Sequence, residues 1–98
     1  MRVRYTRRAL AQVSEILATI AEESPPVATA FAVRIETLTA LLSRHPSMGR
    51  PTDLDEVRVF ATRPYPYLMF FRVEAGEAGI TVLRIRHMAR ESDWRSGR

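Results

Sequence analysis

VRVFATRPYPYLMFFRVEAGEAGITVLRIR, residues 57–86, decides the fold. Three runs rich in β-branched and aromatic residues, 57 to 62, 67 to 74 and 80 to 86, are separated by the turn Arg63-Pro64-Tyr65-Pro66 and by a stretch containing Gly76 and Gly79. Such punctuation predicts an antiparallel meander of three strands. Upstream the apolar period lengthens. Leu10, Val13, Ile16, Leu17, Ile20 and Ala21 recur at three- and four-residue steps, with Thr6 ahead of them as a cap, which predicts an amphipathic helix over residues 7–23. Ser24-Pro25-Pro26 stops it and opens a second helix, 26–44, whose stripe is Val27, Phe31, Ile35, Leu38, Leu41 and Leu42. That helix ends near His45, because the residue before Pro46 is pushed out of the α region.

Helices joined this tightly run antiparallel. HPSMGRPTDLDE, residues 45–56, reads as a loop, and Val3 and Tyr5, alternating with Arg2 and Arg4, read as a short first strand. That strand is expected to pair beside a later one, since its backbone groups need partners. HMARESDW, residues 87–94, reads as a short helical turn whose Trp94 needs apolar cover. The order β-α-α-β-β-β predicts an α+β fold, with a helical hairpin on one face of an antiparallel sheet. Leu10, Val13, Leu17, Phe31, Ile35 and Leu38 are expected to carry the packing.

A chain of 98 residues makes one domain, 1–98, with one core. With 46% hydrophobic and 27% charged residues it is too apolar to be disordered. The absence of cysteine removes disulfides, thiolate metal sites and a Cys nucleophile. His45 and His87 are far apart and no carboxylate stands at ligand spacing to either, so neither a metal nor another cofactor is expected. MRVRYTRRAL lacks the apolar stretch of a signal peptide, so the expected location is the cytoplasm, with no membrane partner.

The net charge of +4 is unevenly spread: residues 1–8 hold four arginines and no acid, residues 9–57 are acidic overall, and residues 58–98 hold eight arginines against four acids. All 15 basic residues are arginine, whose planar fork suits carboxylates and phosphates. The expected partner is an acidic protein segment or a nucleic acid. Arg84 and Arg86 share one face of a strand, where like charges cost energy unless an anion is supplied; Arg72 alternates with apolar residues in the same way, a pattern that a solvated sheet face also gives. His87 stands at a strand end, where it either makes a structural hydrogen bond or moves protons. Arg7 and Arg8, at the unfavourable positive end of a helix dipole, are put down to composition. A free-standing RNA-binding module would show an RNP-type aromatic pair or a GXXG loop, and neither is present.

Three stretches carry a resemblance to one family. HPSMGRP (45–51) is similar to a Pro-x-x-Gly-Arg turn between second helix and sheet, VRVFATRPYPYLMFFRV (57–73) to paired strands ending Tyr-x-x-x-Tyr/Phe-Arg-Val, and VLRIRHMARESDW (82–94) to a last strand reading Val-Leu-x-x-x-His-x-x-Arg before an acid and an aromatic. In order and spacing the chain resembles the RelE/ParE toxins of bacterial type II toxin–antitoxin systems. The resemblance implies a cognate antitoxin, of ribbon-helix-helix type with an acidic C-terminal segment, bound in a hetero-oligomer and against Arg72, Arg84 and Arg86, with operator DNA reached only through that antitoxin. It implies one of two activities. A ParE-like member inhibits DNA gyrase by binding, here through His87, Arg90, Trp94 and Arg95, and has no catalytic residues. A RelE-like member is a ribosome-dependent mRNA endoribonuclease, which here would use His87, Arg84, Arg86, Arg90 and Arg72. The nuclease branch usually carries an arginine where this chain has Leu68, and several of its members end in a tyrosine that is missing here, so the ParE-like reading, a binder and not an enzyme, is favoured.

Overall fold

The computed structural model describes residues 1–76 and 79–90. Its elements are β1 (Val3–Tyr5), α1 (Arg7–Glu23), α2 (Pro25–Arg44), β2 (Arg50–Pro51), β3 (Val57–Ala61), β4 (Tyr67–Val73) and β5 (Ile80–His87). They form two helices on a single sheet ordered β1-β5-β4-β3-β2. The expected α+β fold is the one observed. The meander β3-β4-β5 is antiparallel, while β1 pairs with β5 in parallel, Val3 opposite Ile80, so the sheet as a whole is mixed.

Local chemistry sets the helix ends. The Thr6 hydroxyl accepts from Ala9 N at 3.0 Å and donates to the carbonyl of Leu83 at 3.0 Å, so one residue caps α1 and ties it to β5. Ser24 closes α1 through its own N–H, 2.8 Å from the Ile20 carbonyl, and caps α2 by accepting from Val27 N at 3.3 Å. Pro25 and Pro26 take the first turn of α2, where no backbone donor is missed. α2 has the length and hydropathy of a membrane span, but Phe31, Ile35, Leu38 and Leu42 spend that apolar character inside the core.

The core lies between hairpin and sheet, where Phe31, Leu42, Met69, Phe71, Ile80 and Val82 are fully buried. Phe31, Ile35 and Leu38 pack as the stripe predicts, and Val13 and Leu17 pack at its border. Leu10 does not: it is 54% exposed, and Ala9, at 0%, faces the sheet instead. Thr6 holds the start of α1 so close to β5 that only a small side chain fits beneath the first turn, and Leu10, about 100° further round the helix, is turned to solvent.

β2, inside the stretch read as loop, pairs Arg50 with Val59 and Pro51 with Arg58. Pro51 is tolerated because β2 is an edge strand. The approach depends on Gly49 (φ +87°), where a Cβ would stand 2.6 Å from the Val59 carbonyl oxygen. Arg58 gathers the loop by donating to the carbonyls of Ser47 at 2.9 Å and Gly49 at 3.0 Å.

Candidate functional site

One irregularity in β5 fixes which way the candidate side chains face. Phe70 pairs with Arg84 and Phe71 with Val82, so Leu83 is an extra residue, a β-bulge. Val82 and Ile85 therefore both face the helices although three positions apart, and Arg84 and Arg86 face away from them, opposite Phe70 and Leu68. That outer face carries a second apolar cluster, Val57, Val59, Leu68 and Phe70, bordered by Ala61, Leu83 and Met88. The Arg84 guanidinium lies 4.5 Å from the centre of the Phe70 ring, a cation–π contact that lets a charged group cover apolar surface. Arg72, further along β4 and opposite Thr81, has an ion partner: Glu74 stands 3.5 Å away. The Glu74 carboxyl is held below its usual range by its hydrogen bond to Thr81 and then by the charges of Arg72 and Arg4.

His87 is turned the other way. Its ring meets Tyr67 edge-on at 5.3 Å, and Tyr67 in turn packs on Phe31 at 5.4 Å, so the imidazole sits at the end of the helix-covered face. Nδ1 accepts from Ala89 N at 3.1 Å, which leaves Nε2 to carry the proton of the neutral ring. Past the strand a short 3₁₀ turn spans 88–90 and carries exposed Arg90, the start of the expected helical turn; Trp94 and Arg95 lie outside the described residues.

Arg86, His87 and Arg90 border a groove of about 730 Å³ whose opposite wall is α1, with Arg8, Gln12 and Ile16. Its charge is mainly positive, three arginines against Glu15. The candidate residues are thus divided: Arg72, Arg84 and Arg86 share the outer face, His87 belongs to the helix side, and Arg86, His87 and Arg90 meet at the groove between them. Arg8 and Gln12 were missed from sequence. The signal for Arg8 was present, since a cation in a first helical turn is unfavourable without a reason. Gln12, whose Oε1 accepts from Ile85 N at 2.9 Å, gave none, because its role depends on where α1 crosses β5.

The family model for the ParE toxin of the type II toxin–antitoxin system parDE matches residues 3–92. The chain belongs to the ParE toxin family. It is 32% identical over 82 residues to the Sinorhizobium fredii protein named "Putative toxin Y4kP", covering 84% of this chain and 85% of that one. The solved structure "Chromosomal ParDE TA system from P. aeruginosa" contains a chain that superposes with a TM-score of 0.75 at 26% identity, covering 89% of this chain and 95% of that one. The resemblance read from the three sequence stretches is therefore a family relation, and the helical hairpin on an open sheet is shared with that solved chain.

Proposed function

We propose that this ParE-family protein arrests growth by binding DNA gyrase in the cytoplasm, does not cleave RNA, and is held inactive by a cognate antitoxin. The observation that carries the reading is Leu68. The nuclease branch usually carries an arginine at that position to neutralise the scissile phosphate, and Leu68 is instead 3% exposed within the outer apolar cluster. Of the arginines a nuclease would use here, Arg72 and Arg84 stand on the outer face, away from the His87 ring, and only Arg86 and Arg90 meet it at the groove. A binding surface has no such requirement, and His87 and Arg90, with Trp94 and Arg95 beyond the described residues, are assigned to gyrase. The test is direct: purified protein is expected to block gyrase supercoiling in vitro while mRNA on translating ribosomes stays intact. Cleavage of ribosome-bound mRNA with supercoiling unaffected would install the ribonuclease reading instead.

Arg72, Arg84 and Arg86 are assigned to the antitoxin, a ribbon-helix-helix protein whose acidic C-terminal segment is complementary in charge to their shared face, and through which alone operator DNA is reached. Replacing Arg84 and Arg86 together by Ala is expected to weaken the complex roughly tenfold at low salt and less at high salt, as a screened contact must. Calorimetry showing no change at either salt would remove this face from the antitoxin site.

A further inference from the structure

β5 is eight residues long, yet on the side away from β4 the strand β1 pairs with only Ile80, Thr81 and Val82. A strand edge left this way exposes backbone donors and acceptors. α1 takes up the next of them. Thr6 N donates to the Val82 carbonyl at 3.0 Å, the Thr6 hydroxyl to that of Leu83 at 3.0 Å, and Gln12 Oε1 accepts from Ile85 N at 2.9 Å, standing where a neighbouring strand's carbonyl would be. Strand alternation then turns the Ile85 C=O and the His87 N–H to the same side as the Ile85 N–H. Both open on the groove between α1 and the end of β5, where no strand among the described residues pairs with them.

The groove walls select what fits there. Ile16, Ile85 and Tyr67 give it an apolar floor, while Arg8, Arg86 and Arg90 ring it with positive charge. We infer that an extended segment of the antitoxin, alternating apolar and acidic residues, adds to the edge of β5 beyond Gln12. Its backbone bonds the Ile85 C=O and the His87 N–H, its apolar side chains enter the floor, and its carboxylates meet the arginines. This site lies at the sheet edge, apart from the outer face that holds Arg72 and Arg84, and it rests on the antitoxin reading given above.

The experiment uses the full chain and, as probe, a synthetic peptide in which valine alternates with glutamate, with Kd from calorimetry and amide exchange followed by NMR. Binding is expected to slow exchange at the His87 amide at least tenfold. Arg8→Glu is expected to weaken the complex roughly three- to tenfold at low salt, the difference shrinking as salt rises. An acid in the first turn of α1 favours the helix, so that loss is not one of folding. His87→Pro, which deletes the edge donor, is expected to weaken binding by a similar factor at every salt concentration. A tight wild-type complex in which the His87 amide keeps its free exchange rate and Arg8→Glu binds as wild type would overturn this inference alone. No binding of the peptide by the wild-type chain would likewise overturn this inference, while the antitoxin reading fails separately, on the Arg84 and Arg86 test above.

Discussion

Phe31→Ala is expected to destabilise the fold by about 3–5 kcal/mol, the usual range for deleting a buried aromatic ring. Phe31 is 0% exposed and joins α2 to the sheet, with Tyr65 meeting it edge-on at 5.0 Å and Tyr67 tilted against it at 5.4 Å. The turn at 62–66 that carries Tyr65 is held by Thr62, which donates toward the carbonyls of Tyr65 and Tyr67, so the space left by the ring is expected to close only in part. In a domain of this size the loss corresponds to a fall in Tm on the order of 15 °C or more, read by thermal unfolding. A second effect separates this ring from an ordinary core position. Tyr67 also supports the His87 imidazole, so the variant is expected to broaden or shift the His87 ring resonances even well below its Tm. A fall in Tm of only a few degrees would show that the hairpin is held to the sheet elsewhere.

What the sequence disclosed follows from the range of the interactions involved. Helix and strand periods, the shared cap at Ser24 and the meander are properties of neighbouring residues, and each was legible. β1 was legible as a strand but its parallel pairing was not, because direction depends on how α1 and α2 return the chain. β2 was hidden because a two-residue strand has no period, and only the close approach of Gly49 to Val59 creates it. The exposure of Leu10 escaped for a similar reason: helix phase was fixed by a bond from Thr6 to Leu83, 77 residues away. At the site, strand alternation correctly put Arg84 and Arg86 together, whereas the face taken by His87 came only from the structure. The bulge at Leu83, which brings Val82 and Ile85 to the same side, could not be read from alternation at all.

Ending the chain after Arg86 is expected to abolish toxicity and to raise the concentration needed to block supercoiling by a factor on the order of 10² or more, the effect of removing the central contacts of an interface. The deletion removes His87, Arg90 and the expected Trp94 and Arg95 together. It also removes Met88, which donates to the Pro66 carbonyl at 2.9 Å and packs beside Leu68 and Phe70, so some stability goes with it. Arg90→Glu keeps the fold intact, because Arg90 is exposed and past the end of β5. It is expected to weaken gyrase inhibition several-fold, more at low salt than at high. His87→Ala then divides the two mechanisms by magnitude. A proton-transfer group in a ribonuclease typically contributes a factor on the order of 10² or more, whereas one contact among several on a binding surface contributes about 1 kcal/mol, roughly fivefold. A fivefold loss of supercoiling inhibition with mRNA uncut is the expected result. Loss of an mRNA-cleaving activity by two orders of magnitude in His87→Ala would mean that the imidazole does chemistry, and that a cation other than Arg72 and Arg84 on the outer face neutralises the phosphate.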